Sequence, residues 1–132
     1  MEKNEHVIVT IEDMSTDGEG VGKAEGCALF IKDTVLGDRV EAVVTKMKKN
    51  YGYARLVQVL EPSKDRVEAA CPIARPCGGC QLQAMDYAVQ LEWKREKVRR
   101  NLQKIGGLDV EVQPVIGMEH PWRYRNKTQV PI

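Results

Sequence analysis

The feature that most restricts this chain is a series of short apolar runs, punctuated by glycine-rich turns, across residues 1–62. Residues 6–14 place Val7, Val9 and Ile11 on one face, the two-residue period of a half-buried strand. Cys27–Ile31 is a second such run, the valine-rich stretch 39–47 a third, and residues 52–60, with Val57 and Val59, a fourth. Between them lie Asp17-Gly18-Glu19-Gly20-Val21-Gly22, the loop 33–37 and the polar bend Lys48-Lys49-Asn50. Glycine and asparagine reach positive φ at little cost, so these stretches read as tight turns between strands. No helical period interrupts them before Glu61-Pro62-Ser63, and the expectation is a small closed β-barrel of the OB-like kind. The Gly18-x-Gly20-x-Gly22 spacing also invites a phosphate-loop reading. That reading fails on context, because such a loop opens a helix, whereas Gly26 and the 27–31 strand follow here.

After residue 81 the period changes. Met85, Val89, Leu91, Val98, Leu102 and Ile105 recur at helical spacing, which predicts a helix over 82–105 stopped by Gly106-Gly107. Val110-Glu111-Val112 reads as a further strand, and 128–132 as a strand broken off midway, so the chain is expected to be truncated. The fold class is therefore mainly β, then α+β, in three parts: a barrel (1–62), a cysteine loop (63–82), and a helix with strands opening a further region (83–132). With seven aromatics in 132 residues, aliphatic side chains must fill most of the core. The longest apolar run, 27–31, cannot span a bilayer, and residues 1–6 do not open a signal peptide. A cytoplasmic location is expected by default.

Three of the four cysteines fall within ten residues, as Cys71-Pro72-Ile73-Ala74-Arg75-Pro76-Cys77-Gly78-Gly79-Cys80. In a chain with no secretory signal, such a cluster points to a metal or redox site rather than to a disulfide framework. The prolines fix backbone angles ahead of a turn, and the paired glycines let the chain fold back so that Cys77 and Cys80 can face one centre. Zinc and iron–sulfur clusters both use this arrangement. A thioredoxin-like pair is disfavoured, because no strand–helix pattern brackets Cys77 and Cys80. Cys27 sits in a strand, where a small buried apolar residue is the ordinary explanation. The histidines, His6 and His120, are weaker ligands still, so a fourth donor is missing.

The formal net charge of +1 hides an asymmetry: residues 1–62 carry eight basic and eleven acidic side chains, residues 63–132 twelve and eight. Local clusters bind phosphates whatever the total. One cluster is Lys46, Lys48, Lys49 and Arg55 around Tyr51 and Tyr53, suited to phosphate contact and base stacking. A second tier comprises Lys94 and Arg100 on the helix and Arg123, Arg125 and Lys127 near Trp122 and Tyr124. Part of the helix charge is accounted for by ion pairs along a solvated face.

Three stretches together carry a resemblance. They are 17–22 through Gly37-Asp38-Arg39-Val40; Cys71-x5-Cys77-Gly78-Gly79-Cys80-Gln81-Leu82-Gln83 with Tyr87, Gln90, Leu91 and Lys94; and Ile105-Gly106-Gly107, Ile116-Gly117-Met118-Glu119 and Pro121-Trp122-Arg123-Tyr124-Arg125-Asn126-Lys127. They resemble the RNA uracil-5 methyltransferases, acting on 23S ribosomal RNA or transfer RNA, that carry an N-terminal TRAM domain. The resemblance implies an RNA-binding TRAM β-barrel. It also implies a [4Fe–4S] cluster with Cys71, Cys77 and Cys80 as three ligands and the fourth beyond residue 127. In such a family a doubly wound domain binds S-adenosylmethionine, and its cysteine adds to C6 of uracil to activate C5. No cysteine follows Cys80 here, so these residues are expected to be the RNA-handling and cluster-binding front of a larger enzyme, with no catalytic residue of their own. The competing expectation is a free-standing RNA-binding module with structural zinc. A radical methylthiotransferase is disfavoured, since those enzymes resemble Cys-x3-Cys-x2-Cys and the first gap here is five residues.

Overall fold

Most of the strands alternate buried residues with more exposed ones, which gives the sheet an inner and an outer face. The computed structural model describes residues 2–77 and 80–125, without the side chains of Pro76 and Cys77. Strands β1 (His6–Met14), β2 (Gly20–Ala24), β3 (Cys27–Ile31), β4 (Arg39–Met47) and β5 (Tyr51–Glu61) form a closed barrel in the order β1-β2-β3-β5-β4. Neighbours are antiparallel except β3 and β5, which run parallel. Val9, Ile11, Leu29, Ile31, Val40, Ala42, Val44, Ala54 and Leu56 fill the interior. As expected from composition, none of these is aromatic.

The register of β1 slips between Ile11 and Asp13, where it pairs with β2. The extra residue is a β-bulge, and it turns Met14 inward after Ile11 although the two are three apart. Strand β2 lies partly where only turns were expected, and its glycines explain the difference. A Cβ on Gly20 would collide with Thr34 Oγ1, and one on Gly22 would sit 2.9 Å from Val9 Cγ2. The strand is glycine-rich because neighbouring side chains already occupy the space, which removes the apolar alternation by which strands are read. Glu25 and Gly26, with φ of 50° and 77°, make the two-residue turn into β3. Two successive positive φ values are what a type I′ hairpin needs.

The chain divides into two compact units, Met1–Asp86 and Tyr87–Ile132. In the first, the residues after β5 fold onto the barrel. Asp38 is fully buried and accepts from the Val35 and Ser63 N–H groups, each at 2.8 Å, and from Arg66, at 2.7 Å from Nη2. Arg66 Nη2 also donates to Asp33 O at 2.8 Å. Residues 65–67 run antiparallel to 84–86, through Val67 N–H to Ala84 O and Asp86 N–H to Asp65 O. This pairing sets Met85 into the core at 2% exposure. Met85, expected on the long helix, is thus a core residue of the barrel unit.

In the second unit α2 (Tyr87–Lys104) begins five residues later than expected. It ends at Gly106-Gly107, with Gly107 at φ 66° and Leu108 N–H turning back to Leu102 O. No residue of α2 is buried. Residues 112–118 follow the helix: Arg95 Nε donates to Val112 O at 2.7 Å, and Met118 N–H to Tyr87 Oη at 3.1 Å. Val110–Val112 is not a strand, and among the described residues nothing after α2 is. A strand needs a partner ladder, and here the Val112 carbonyl is held by an arginine instead. The strand expected over 128–132 and the Gly78-Gly79 turn lie outside the described residues. No helix among the described residues is long and apolar enough to cross a membrane.

Candidate nucleic-acid interface

In the first half of β5 the odd-numbered residues face outward because Gly52, Ala54 and Leu56 face in. Tyr51, Tyr53 and Arg55 therefore project from one outer face. Parallel pairing with β3 adds Phe30 directly opposite Tyr53 and Ala28 opposite Tyr51. The three rings form a contiguous patch, with centroids 5.7 Å apart for Phe30–Tyr53 and 6.0 Å for Phe30–Tyr51 and Tyr51–Tyr53. Such separations are those of tilted and edge-to-face aromatic contacts. Tyr51 and Tyr53 remain 39% and 36% exposed, enough to offer a face to a planar ligand.

Pairing then places cations beside the rings. Lys46 lies opposite Tyr53 across the β4–β5 ladder, and Lys48 N–H donates to Tyr51 O at the bend. On the other side, Lys23 of β2 lies opposite Ala28. Lys46, Lys48 and Lys49 are exposed, and Arg55 projects from the same face of β5 as the tyrosines. The fold thus brings together the first cluster read from the sequence, and it adds Phe30 and Lys23, which that reading missed. Phe30 carried a signal, since it alternates with the inward Leu29 and Ile31. Its neighbours could not be read locally, because β3 and β5 are joined only by long-range parallel pairing.

A cavity of about 300 Å³ opens on this patch, lined by Ser15, Asp17, Glu19, Phe30, Tyr51 and Tyr53. The 15–19 loop is held by Ser15 N–H to Glu19 O at 2.7 Å and Gly18 N–H to Ser15 O at 3.0 Å. Gly18, at φ 82°, packs its α-carbon toward Gln81 and Leu82. The aromatic patch therefore has a basic flank on β4 and β2 and an acidic flank on the loop before β2.

The second-tier residues belong to the second compact unit. Lys94 and Arg100 are exposed on α2, and Arg123 and Arg125 are exposed beyond it; Lys127 lies outside the described residues. Several helix cations are engaged: Arg99 Nη2 reaches Glu96 at 2.8 Å, Arg95 Nη1 reaches Glu92 at 3.9 Å, and Lys97 Nζ sits 5.5 Å from the Trp93 ring centre. The hydrogen bond from Arg99 holds the Glu96 carboxyl below its ordinary value.

Cys71 and Cys80 are free and line a second cavity of about 650 Å³, between β5 and the segment that follows it. The cysteines bracket a single helical turn, α1 (Ala74–Cys77), where a plain loop was expected. Arg75 anchors this turn by donating to Leu56 O and pairing with Asp33 at 3.5 Å, while Cys71 N–H donates to Gln83 Oε1 at 3.2 Å. Two thiols facing one cleft suit a thiolate-held metal or cluster. The Cys77 side chain lies outside the described residues, and among the described residues no three metal-binding side chains converge. Cys27, on β3, does not line the cleft.

Residues 2–57 match the TRAM domain family. Over 131 residues, 98% of its length, the chain is 53% identical to a protein of Halalkalibacterium halodurans named an uncharacterized RNA methyltransferase, and it covers 29% of that protein. It is 49% identical over 132 residues to a Listeria monocytogenes protein of the same description, again covering 29% of it. A solved structure of a Pyrococcus abyssi tRNA (uracil-54, C5)-methyltransferase with S-adenosyl-L-homocysteine is 30% identical, with a TM-score of 0.46, over 81% of this chain and 23% of that one. The chain spans about 29% of the length of the curated relatives it matches. Residues 2–57 thus carry a TRAM domain, and the chain is similar through its whole length to part of proteins named RNA methyltransferases.

Proposed function

We propose that this chain is the RNA-binding and iron–sulfur part of an S-adenosylmethionine-dependent RNA uracil-5 methyltransferase, with 23S ribosomal RNA as the substrate and the cytoplasm as its location. The division into a barrel (1–62), a cysteine segment (63–82) and a helical region (83–132) belongs to the same proposal. The observation that supports it most is the ring patch of Phe30, Tyr51 and Tyr53 flanked by Lys46 and Lys48 on the outer face of a TRAM barrel. Stacked bases and neutralised phosphates are the two ingredients of single-strand binding, and this face supplies both. Lys49 and Arg55 extend the basic surface, while Lys94, Arg100, Arg123, Arg125 and Lys127 serve as further phosphate contacts. Cys71, Cys77 and Cys80 are the proposed cluster ligands, and the cluster would act as a thiolate-held staple of the segment folded on the barrel. Methyl transfer itself belongs to the part of the relatives that this chain does not cover.

A salt titration of binding to a single-stranded RNA tests the central reading. Each phosphate contact contributes a slope of about −0.7 in log affinity against log salt. Replacing Lys46, Lys48 and Lys49 by alanine should flatten the slope by about two units, on the order of three such contacts. An affinity flat in salt for the unaltered chain would defeat the proposal. For the cysteines, brown protein that bleaches in air supports iron–sulfur, whereas colourless protein with one bound zinc supports a structural zinc module instead.

A further inference from the structure

The phosphate contacts of the aromatic patch follow from its lysines, but the loop that leads into β2 beside it is acidic, and RNA as a polyanion gains nothing from that. Asp17 and Glu19 line the same cavity as the three rings, together with Ser15. Among the described residues neither carboxylate has a hydrogen-bond or ion-pair partner of its own. Glu19 contributes its N–H to Ser15 Oγ and its carbonyl to Ser15 N–H, so backbone contacts fix the loop and leave the acid groups at the cavity. Two carboxylates beside a stacking surface would repel a phosphate. They are suited to accept hydrogen bonds from the edge of a base stacked on the rings.

That edge is selective. Cytosine presents its N4 amino group, and adenine its N6 amino group, as donors, whereas uracil presents the O4 acceptor at the corresponding position. A carboxylate facing that position attracts the amino group and repels the carbonyl. We propose that Phe30, Tyr51 and Tyr53 with Asp17 and Glu19 form a pocket for one unpaired, amino-bearing base of single-stranded RNA, and that the pocket rejects uracil. The inference rests on the RNA-binding reading above and deepens it. The barrel then reads a nucleotide other than the uridine proposed for modification, with Phe30 and the two tyrosines as the stacking surface and the 15–19 loop as the element that sets base preference.

The ten-nucleotide oligomers of cytidine and of uridine are the cleanest probes, because both bases are pyrimidines and differ only along the edge formed by positions 3 and 4. Fluorescence anisotropy with the full chain at one low salt concentration should show oligocytidine binding about tenfold more tightly than oligouridine, the discrimination expected of one good base contact. The double variant Asp17→Asn, Glu19→Gln should bring the two affinities within about twofold, since an amide both accepts and donates. Glu19→Gln alone should narrow the gap part of the way, and serves if the double variant does not fold. Phe30→Leu should weaken both oligomers by about tenfold, the effect of losing one stacked base. Equal affinities in the unaltered chain, or a preference for cytidine that survives in the amide variants, would overturn the pocket while leaving RNA binding intact. Failure to bind either oligomer would overturn both readings.

Discussion

Replacing Arg66 with alanine tests whether the segment after β5 is an integral part of the barrel. Asp38 is 0% exposed, and Arg66 approaches it with Nη2 at 2.7 Å and Nε at 3.1 and 3.2 Å from its two oxygens. Without the guanidinium the carboxylate keeps only the N–H groups of Val35 and Ser63. Breaking a buried pair by removing one partner costs about 3–5 kcal/mol, because the remaining charge stays desolvated. The Arg66 side chain is 22% exposed and two amides remain, so the lower end, about 3 kcal/mol, is the expected loss. For a unit of this size that lowers the melting temperature by roughly 12–24 °C. The contrast is Arg39→Ala: Arg39 meets Glu61 at 3.5 Å with 49% and 72% of the two side chains exposed, and its loss should cost less than about 1 kcal/mol. Urea unfolding followed by tryptophan-independent circular dichroism measures both. Equal, small losses for Arg66→Ala and Arg39→Ala would refute the claim that Asp38 depends on its buried partner.

Three further outcomes are expected. Gly20→Ala should destabilise by about 1–3 kcal/mol through overpacking against Thr34 and Ile11, and combined with Thr34→Ala it should cost less than the sum of the two in a denaturation double-mutant cycle. Because Arg99 lowers the Glu96 pKa, their pairing contributes fully above the ordinary value of 4.5 and is lost as pH falls through the depressed value; an NMR titration of the Glu96 carboxyl should return to the ordinary value in Arg99→Gln. Cys27→Ser should leave the metal or cluster content of anaerobically reconstituted protein unchanged, as measured by metal analysis, whereas Cys80→Ser should lower it, since Cys80 lines the cleft and Cys27 does not.

Strands β1, β3 and β4 were legible with their observed limits, because an apolar residue at every second position is a local property of the chain. Strand β2 was not. Its glycines avoid Thr34 and Val9, residues that only the closed barrel brings near. Met85 fits a helical spacing with Val89, yet pairing of residues 65–67 with 84–86 draws it into the barrel core and delays the helix to Tyr87. Tyr51, Tyr53 and the lysines at the bend stood out as neighbours in sequence. Phe30 did not join them on paper, because 21 and 23 residues separate it from its ring partners.

The sequence alone determined the strand-forming runs, the turn glycines, the helix with its stop and the close spacing of the three cysteines, since each depends on residues within a few positions of one another. Tertiary structure decided which faces meet: the parallel seam that assembles the ring patch, the acidic loop beside it, and the burial of Asp38 against Arg66. These depend on contacts between residues about 20–30 positions apart, whose loop-closure entropy is offset only when the whole barrel forms.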